Sequence, residues 1–186
     1  GRVQILAYSA GEEDFVDANF NNVYDCGESW TDLTTAFRDD NENRAFDTGE
    51  FSVPRAPSPS ACASAGTPSP TGGDGVWGAA DVRMQGTIIF ATSGAVITGT
   101  ATPATLEVTI ADLNGNSMPT GSDVLVRSSI GGCGVQGPAF STKIANTLAA
   151  SIFSIPLSSD CKVGDSVLVE VTSPLNVVTR KAIYVE

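Results

Sequence analysis

The sequence predicts an all-β protein, and three observations support this prediction. The 186 residues include 19 Gly and 10 Pro, with many Thr, Ser and Val, a composition that favours strands and turns. Long runs of Glu, Lys, Leu and Ala at helical spacing are absent. From about residue 76 onward, short segments alternate between apolar and polar residues and are separated by turn signals.

Residues 76–186 are predicted to form one β-sandwich. Alternation with period 2 is clear in residues 106–110 and 167–171. Turn signals stand at 114–115 (Asn-Gly), 131–132 (Gly-Gly) and 174–176 (Pro-Leu-Asn). The strand candidates are residues 82–92, 95–101, 105–112, 122–130, 139–144, 148–157, 165–173 and 177–186. Seven or eight short strands over roughly 105 residues favour an immunoglobulin-like β-sandwich, with a jelly roll as the alternative.

Residues 1–10 are predicted to form an isolated N-terminal strand. Within it, Val3, Ile5 and Ala7 share one face, and no hairpin partner precedes the acidic segment that follows. A strand without a local partner pairs with a distant strand or with another molecule. We therefore expect the end of a preceding domain, an edge strand of the sandwich, or a strand donated to a neighbouring subunit.

The negative charge is concentrated in the first quarter of the chain. The net charge is −11, and residues 1–50 contain 12 acidic and three basic residues. Acidic side chains at this density repel one another unless cations join them. No basic patch is available to contact phosphates, so nucleic acid is not an expected partner.

Residues 11–51 carry one pattern of acids and amides twice, at a constant offset that moves residue 17 onto residue 39. Positions 1, 3, 5, 7, 9 and 12 of the first copy are Asp17, Asn19, Asn21, Val23, Asp25 and Glu28. In the second copy they are Asp39, Asn41, Asn43, Ala45, Asp47 and Glu50. This is the ligand spacing of an EF-hand loop, in which position 7 uses its carbonyl and position 12 supplies two oxygens. Because oxygen ligands without His or Cys select Ca²⁺ over zinc or copper, and the spacing is that of an EF-hand loop, the sequence predicts two calcium sites.

Two features separate these loops from a standard EF-hand. Position 6 is Asn22 in one copy and Arg44 in the other, where Gly is usual. Only ten residues separate Glu28 from Asp39, too few for two flanking helices. Position 8 is aromatic in both copies, as expected where a loop meets a core. Extra ligands are expected from Glu12, Glu13 and Asp32.

The four cysteines predict two disulfides and an oxidising compartment. Cys26, Cys62, Cys133 and Cys161 are widely spaced and form no CxxC motif, which argues against a zinc ribbon or a thioredoxin-type site. Residues 52–75 contain five of the ten prolines and have the composition of a linker. We favour Cys26–Cys62, which would clamp the first loop to this linker, and Cys133–Cys161, while the other two pairings stay open.

Other signals are weaker. Histidine is absent, which excludes Ser-His-Asp and Cys-His catalysis, and no nucleophile is paired with a base, so we expect no enzyme. No apolar run reaches the roughly 20 residues of a transmembrane helix.

Residues 112–116 begin like a calcium loop, but Pro119 at position 8 favours a hairpin turn. Trp30 is expected to pack beside Tyr24 and Phe37, and Trp77 is expected to be a core or interface cap where the sandwich region begins.

The run from residue 7 to residue 51, beginning AYSAGEEDF, resembles the acidic segment between Ig-like repeats in large bacterial surface proteins. Its loops are similar to dockerin- and thrombospondin-type calcium repeats. TLEVTIADLNGNSMPTGSDVLV (105–126) is similar to the B-strand, turn and C-strand of invasin/intimin-type Ig-like domains, and VTSPLNVVTRKAIYVE (171–186) resembles their last hairpin. The resemblance implies an extracellular module at the bacterial cell surface, with neighbouring Ig-like domains as partners and calcium stiffening the joint.

Three functions follow from these expectations. The first is a calcium-stabilised structural or adhesive module that binds a ligand on a host or cell surface. The second is a self-assembling extracellular filament, in which the N-terminal strand completes the sheet of an identical subunit. The third and weakest is a carbohydrate-binding accessory module that uses Trp30 or Trp77 as a sugar platform.

Overall fold

A computed structural model describes residues 1–130, 133–137 and 139–186, and these residues form strands, turns and loops without a helix. The strands are β1 (Arg2–Glu12), β2 (Ala79–Ile89), β3 (Ala95–Ala101), β4 (Thr105–Asp112), β5 (Asp123–Ile130), β6 (Phe140–Lys143), β7 (Ser151–Pro156), β8 (Ser166–Thr172) and β9 (Val178–Tyr184). The all-β prediction is confirmed. The Gly-Gly turn predicted at 131–132 lies outside the described residues.

The chain divides into two compact units. One contains Val3–Ile88, and the other contains Gly1–Arg2 and Ile89–Glu186. The sequence predicts a sandwich that begins at residue 76, whereas the second unit takes up the chain again only at Ile89. The difference arises because β2 pairs with β1 and with neither sheet of the sandwich.

The strands β3 to β9 form two antiparallel sheets, with strand orders β3-β4-β7 and β6-β5-β8-β9. Alternate residues of the central strands point inward and are almost completely buried. They are Leu106, Val108 and Ile110 of β4, Val124 and Val126 of β5, and Val167, Val169 and Val171 of β8. Both sheets contribute to one hydrophobic core, which is the arrangement of a β-sandwich.

A turn follows β4, and its acid is fully buried. Oδ1 of Asp112 accepts the backbone N–H groups of Asn114 and Asn116 at 2.9 and 2.8 Å, and Oδ2 accepts that of Thr92 at 3.0 Å. The turn that the sequence predicts at residues 112–116 is present. The prediction that it joins a hairpin is wrong, because the strands on either side, β4 and β5, belong to different sheets. The carboxylate is therefore the structural centre of a connection between the two sheets.

The strand that the sequence predicts to be isolated has a partner within the chain, since β1 and β2 form a two-stranded sheet. One face of this sheet bonds to the second acidic loop. Gln4 Nε2 donates to Glu42 Oε1 at 2.7 Å, and the Asp39 N–H donates to Gln85 Oε1 at 2.9 Å. Because a two-stranded sheet is marginally stable by itself, these bonds help to order residues 3–88.

Both cysteine pairs favoured from the sequence are disulfides in the structure, Cys26–Cys62 and Cys133–Cys161. Two disulfides are consistent with a secreted or extracellular protein. In the part of the chain that the structure describes, no helix has the length and apolar character needed to span a membrane.

Candidate metal centre

Each acidic loop is closed by a short antiparallel bridge of the backbone. Phe15 pairs with Trp30 around the first loop, and Phe37 pairs with Ser52 around the second. The closing hydrogen bonds are Val16 N–H to Ser29 O (2.7 Å) and Thr31 N–H to Asp14 O (3.2 Å), and Arg38 N–H to Phe51 O and Val53 N–H to Ala36 O (both 2.8 Å). The second pair of bonds repeats the first at equivalent positions of the duplicated pattern. These bridges flank each loop where an EF-hand has helices.

Asp17, at position 1, organises the start of the first loop. Its Oδ1 accepts the backbone N–H of Asn21 at 3.2 Å, and its Oδ2 accepts that of Asn22 at 2.8 Å. The Asn21 N–H is shared with Asn19 Oδ1 at 3.0 Å. These bonds, that of Asn22 foremost, lower the pKa of the Asp17 carboxyl below its ordinary value. The backbone from residue 17 to residue 22 therefore curls around the Asp17 carboxylate.

The side chains at positions 3, 5 and 9 meet one another, and the side chain at position 12 bonds to the backbone of the loop. The amides of Asn19 and Asn21 donate to the same atom, Asp25 Oδ2, at 2.6 and 2.8 Å. Glu28 reaches back across the loop, where its two oxygens accept the N–H groups of Ala18 and Asp25 at 2.8 and 2.9 Å. The side chains of Asn19, Asn21 and Asp25 thus meet, and the Glu28 carboxylate ties the backbone of residue 18 to that of residue 25.

The second loop reproduces these bonds. Asn43 N–H and Arg44 N–H donate to Asp39 (3.1 and 2.7 Å), Asn41 Nδ2 and Asn43 Nδ2 donate to Asp47 Oδ2 (2.7 and 2.6 Å), and Asp40 N–H and Asp47 N–H donate to Glu50 (2.8 and 2.9 Å). Every one of these bonds has a counterpart of similar length in the first loop. Two stretches with different residues at positions 2, 4, 6 and 10 therefore adopt one geometry.

The same three positions in both loops have a positive φ. They are Phe20 (61°), Asn22 (60°) and Gly27 (103°) in the first loop, and Glu42 (63°), Arg44 (67°) and Gly49 (107°) in the second. For a residue with a Cβ, this left-handed conformation costs about 1–2 kcal/mol. The missing glycine at position 6 is thus tolerated at an energetic cost. Strained backbone that recurs at equivalent positions is typical of ligand-binding loops.

The donor set of each loop fits Ca²⁺. Two Asp, two Asn, one Glu and one backbone carbonyl, from Val23 or Ala45, supply hard oxygen atoms. The amide nitrogens of Asn19 and Asn21 donate to Asp25, and their oxygens accept the backbone N–H groups of Asn21 and Val23 at 3.0 and 2.8 Å. Because an amide oxygen has two lone pairs, each of these oxygens can accept an N–H and still contact a cation.

Aromatic rings hold position 8 of each loop. Tyr24 lies edge-on to Phe15, at 5.8 Å between centroids, and stacks on Trp77 at 4.8 Å. In the second loop, Phe46 lies edge-on to Phe37 at 5.7 Å. The ring stacked on Tyr24 belongs to Trp77, which lies in the unit of residues 3–88 and outside the hydrophobic core of the sandwich, so a cap of the sandwich core at Trp77 is wrong.

A further acid cluster lies in the unit of residues 3–88. One carboxylate oxygen from each of Glu13, Asp32 and Asp74 lies within 4.8 Å of the others, and among the described residues the acids of the two loops do not meet this spacing. Glu13 and Asp32 are among the expected extra ligands, and Glu12 is exposed and outside the cluster. No spacing rule points to Asp74, which lies in the run Gly-Gly-Asp-Gly at 72–75. A Cβ at residue 73 in this run would overlap the Asp32 carboxylate.

Backbone donors hold this cluster together. The N–H groups of Leu33 and Gly78 bond to Glu13 at 2.8 and 3.1 Å, that of Gly75 to Asp32 at 3.0 Å, and that of Ser58 to Asp74 at 2.7 Å. The guanidinium of Arg55 lies 3.9 Å from Asp74, and burial raises the pKa of Glu13. The cluster joins the linker to the first loop and has a structural explanation in these bonds.

Comparison of the chain with protein-family models, with curated proteins and with solved structures finds no match. The assignment of a function therefore depends on the geometry of the two loops and on the chemistry of their donors.

Proposed function

We propose that the chain is a calcium-stabilised structural module of an extracellular protein, and that each acidic loop binds one Ca²⁺. The observation that carries this proposal is the duplication in three dimensions. Hydrogen bonds, positive φ angles, closing bridges and aromatic contacts all recur at equivalent positions of the two loops.

Electrostatics supports the same function. Residues 1–50 contain 12 acids against three bases, and most of them lie in or beside the two loops. Two Ca²⁺ ions would neutralise four negative charges and remove much of the repulsion within this segment. Three acids and two amides per loop favour a moderate affinity, on the order of 10⁻⁵ to 10⁻³ M, which suits extracellular calcium concentrations.

The order of strands supports an immunoglobulin-like fold over a jelly roll. With β3 to β9 named A, B, C, C′, E, F and G, the sheets are A-B-E and C′-C-F-G. This differs from the constant-type arrangement only in the fourth strand, which pairs with C where strand D would pair with E. A jelly roll needs eight strands in its two sheets, and seven strands are described here.

A place at the bacterial cell surface, and an adhesive role there, are supported by the resemblance of residues 7–51 and 105–126 to Ig-like surface proteins. The filament function is less well supported, because β1 already has a partner in β2 of its own chain. The carbohydrate function is also less well supported, because one face of Trp77 is covered by Tyr24.

Thermal unfolding with calcium and with chelator tests the proposal. We expect the unfolding of residues 3–88 to move to a higher temperature in calcium, because an ion that binds only the folded state stabilises it. Magnesium at the same concentration is the control, since it demands a smaller octahedral site. An identical melting curve in calcium and in chelator would contradict the proposal.

A further inference from the structure

We infer that the Cys26–Cys62 disulfide sets the calcium affinity of the first loop and makes this loop the redox-sensitive one of the two. The inference rests on the proposed function and concerns the regulation of the same sites. It follows from the position of Cys26 in its loop, from the anchoring of Cys62, from the natural control that the second loop provides, and from the exposure of this disulfide.

Cys26 occupies position 10, between the two acids that close the loop. Asp25, directly before it, receives both asparagine amides, and Glu28, two residues after it, accepts the Asp25 N–H at 2.9 Å. A covalent bond at position 10 therefore restrains the backbone that carries the ligands at positions 9 and 12. If these residues are already restrained before an ion binds, binding costs less conformational entropy, and the affinity for the ion is higher.

Cys62 is joined to a fixed point of the same unit. It lies in the linker, which contains no named strand, so the linker alone provides little rigidity. However, Ser58, four residues before it, donates its N–H to the buried carboxylate of Asp74 at 2.7 Å, and the Cys62 N–H donates to Ser60 Oγ at 3.1 Å. The disulfide thus connects the first loop to the Glu13–Asp32–Asp74 cluster.

The second loop lacks this connection. Thr48 stands at its position 10, yet the hydrogen bonds from Asp39 to Glu50 match those of the first loop. The two loops are therefore a matched pair inside one chain, with one clamped and one unclamped. A change that depends on the disulfide must alter the first site and leave the second unchanged.

The two disulfides also differ in their accessibility. Cys26 and Cys62 are both exposed, whereas Cys133 is fully buried and Cys161 is 5% exposed in the sandwich core. An external dithiol can reach the disulfide between these two exposed residues and reduce it by thiol–disulfide exchange. Two electrons and two protons pass from the dithiol to Cys26 and Cys62, which become thiols, and the reductant becomes a cyclic disulfide. The buried pair is protected under the same mild conditions.

Calcium and the disulfide must act on each other equally. If the disulfide raises calcium affinity by a given factor, bound calcium makes the disulfide harder to reduce by that same factor. We expect a factor of about ten, because only part of the loop is restrained. For a two-electron couple, a tenfold change corresponds to about 30 mV in reduction potential.

The test measures each site alone by calcium titration calorimetry. Glu50→Gln leaves only the first site, and Glu28→Gln leaves only the second. Each variant is titrated oxidised, after mild reduction by dithiothreitol, and with Cys26→Ser and Cys62→Ser added. We expect the Kd of the first site to rise about tenfold without the disulfide, and that of the second site to stay the same.

A second measurement does not need a cysteine variant. The reduction potential of Cys26–Cys62 in the unmodified chain is measured by alkylation and mass spectrometry, with saturating calcium and with chelator. We expect calcium to lower it by about 30 mV, with no change for Cys133–Cys161. Equal affinities with and without the disulfide, or equal potentials in both buffers, would overturn the inference. Absence of calcium binding in both oxidised single-site variants would instead overturn the proposed function itself, and the inference with it.

Discussion

The ring of Tyr24 stacks on the indole of Trp77, with 4.8 Å between centroids and 18° between planes. Tyr24 is position 8 of the first loop, and Trp77 lies two residues before β2. The indole N–H also donates to the carbonyl of Glu13 at 2.9 Å. The half-buried side chain of Trp77 therefore contacts both Tyr24 of the first loop and Glu13 of the acid cluster.

Replacing Trp77 with Ala should destabilise residues 3–88 by about 2 kcal/mol, because it removes the stack, the edge contact with Phe15 and a hydrogen bond. Hydrogen exchange of residues 3–88, followed at increasing denaturant concentration, measures this loss of stability. Trp77→Phe is the matched control and should recover most of the loss, since it keeps a ring on Tyr24. An alanine variant as stable as the phenylalanine variant would show that the stack contributes nothing.

Arg44→Gly should stabilise the second loop by about 1 kcal/mol, because Arg44 has a φ of 67° and glycine adopts this conformation without strain. Arg44→Asn should give a smaller gain, since asparagine tolerates the left-handed region better than arginine. Thermal melting in saturating calcium gives the ranking. Ala45→Gly, at the next position, is the control and should give no gain; a loss of stability in Arg44→Gly would contradict the account of position 6.

Asp112 should make the sandwich sensitive to acid. Burial raises the pKa of its carboxyl, but the N–H groups of Thr92, Asn116 and Asn114 together lower it further, so the net pKa lies below the ordinary value. A carboxyl with a depressed pKa adds stability above its unfolded pKa, and this stability is lost as the pH falls through the folded pKa.

Asp112→Asn should therefore cost about 2 kcal/mol near neutral pH, and the difference in stability from the unmodified chain should shrink as the pH falls below about 3.9, the ordinary pKa of an aspartate. Chemical denaturation of the sandwich, from neutral to acidic pH, measures the free energy of unfolding of the variant and of the unmodified chain. Asp123→Asn, at an exposed carboxylate, is the control and should show a smaller loss. A difference for Asp112→Asn that stays constant on acidification would contradict the role of its charged form.

Removal of the buried disulfide should destabilise the sandwich. The bond between Cys133 and Cys161 closes a separation of 28 residues, and replacing both with Ser should cost about 3 kcal/mol. Unfolding in guanidinium chloride, read from hydrogen exchange in residues 89–186, reports the loss. Replacing Cys26 and Cys62 in the same way should leave the exchange of these residues unchanged. Equal effects of the two pairs on the sandwich would contradict the assignment of one disulfide to each unit.

Local patterns predicted much of the sandwich. The bounds of β3 and β4 agree with the expected residues 95–101 and 105–112, because period-2 alternation and turn residues mark both ends of each segment. The partner of a strand is not encoded in its own alternation. For this reason the alternation alone predicts that residues 82–92 belong to the sandwich, whereas β2 pairs with β1.

The site could be predicted only where its residues are close together in the sequence. Twelve loop positions could be named because ligand spacing is a property of one short segment. Trp77 and Asp74 could not, because each meets its partners through contacts between distant parts of the sequence. Neither residue belongs to a repeated pattern, and no rule of spacing connects them to Tyr24 or Asp32.

The central claim, that the two loops each hold a calcium ion, is tested most directly by the stoichiometry of calcium binding in equilibrium dialysis of the oxidised chain. The account predicts two ions for the unmodified chain, one for Glu28→Gln, one for Glu50→Gln and none for the double variant. Glu12→Gln, at an exposed acid outside both loops, should still bind two. An unmodified chain that binds no calcium, or an undiminished stoichiometry in both single variants, would contradict the claim.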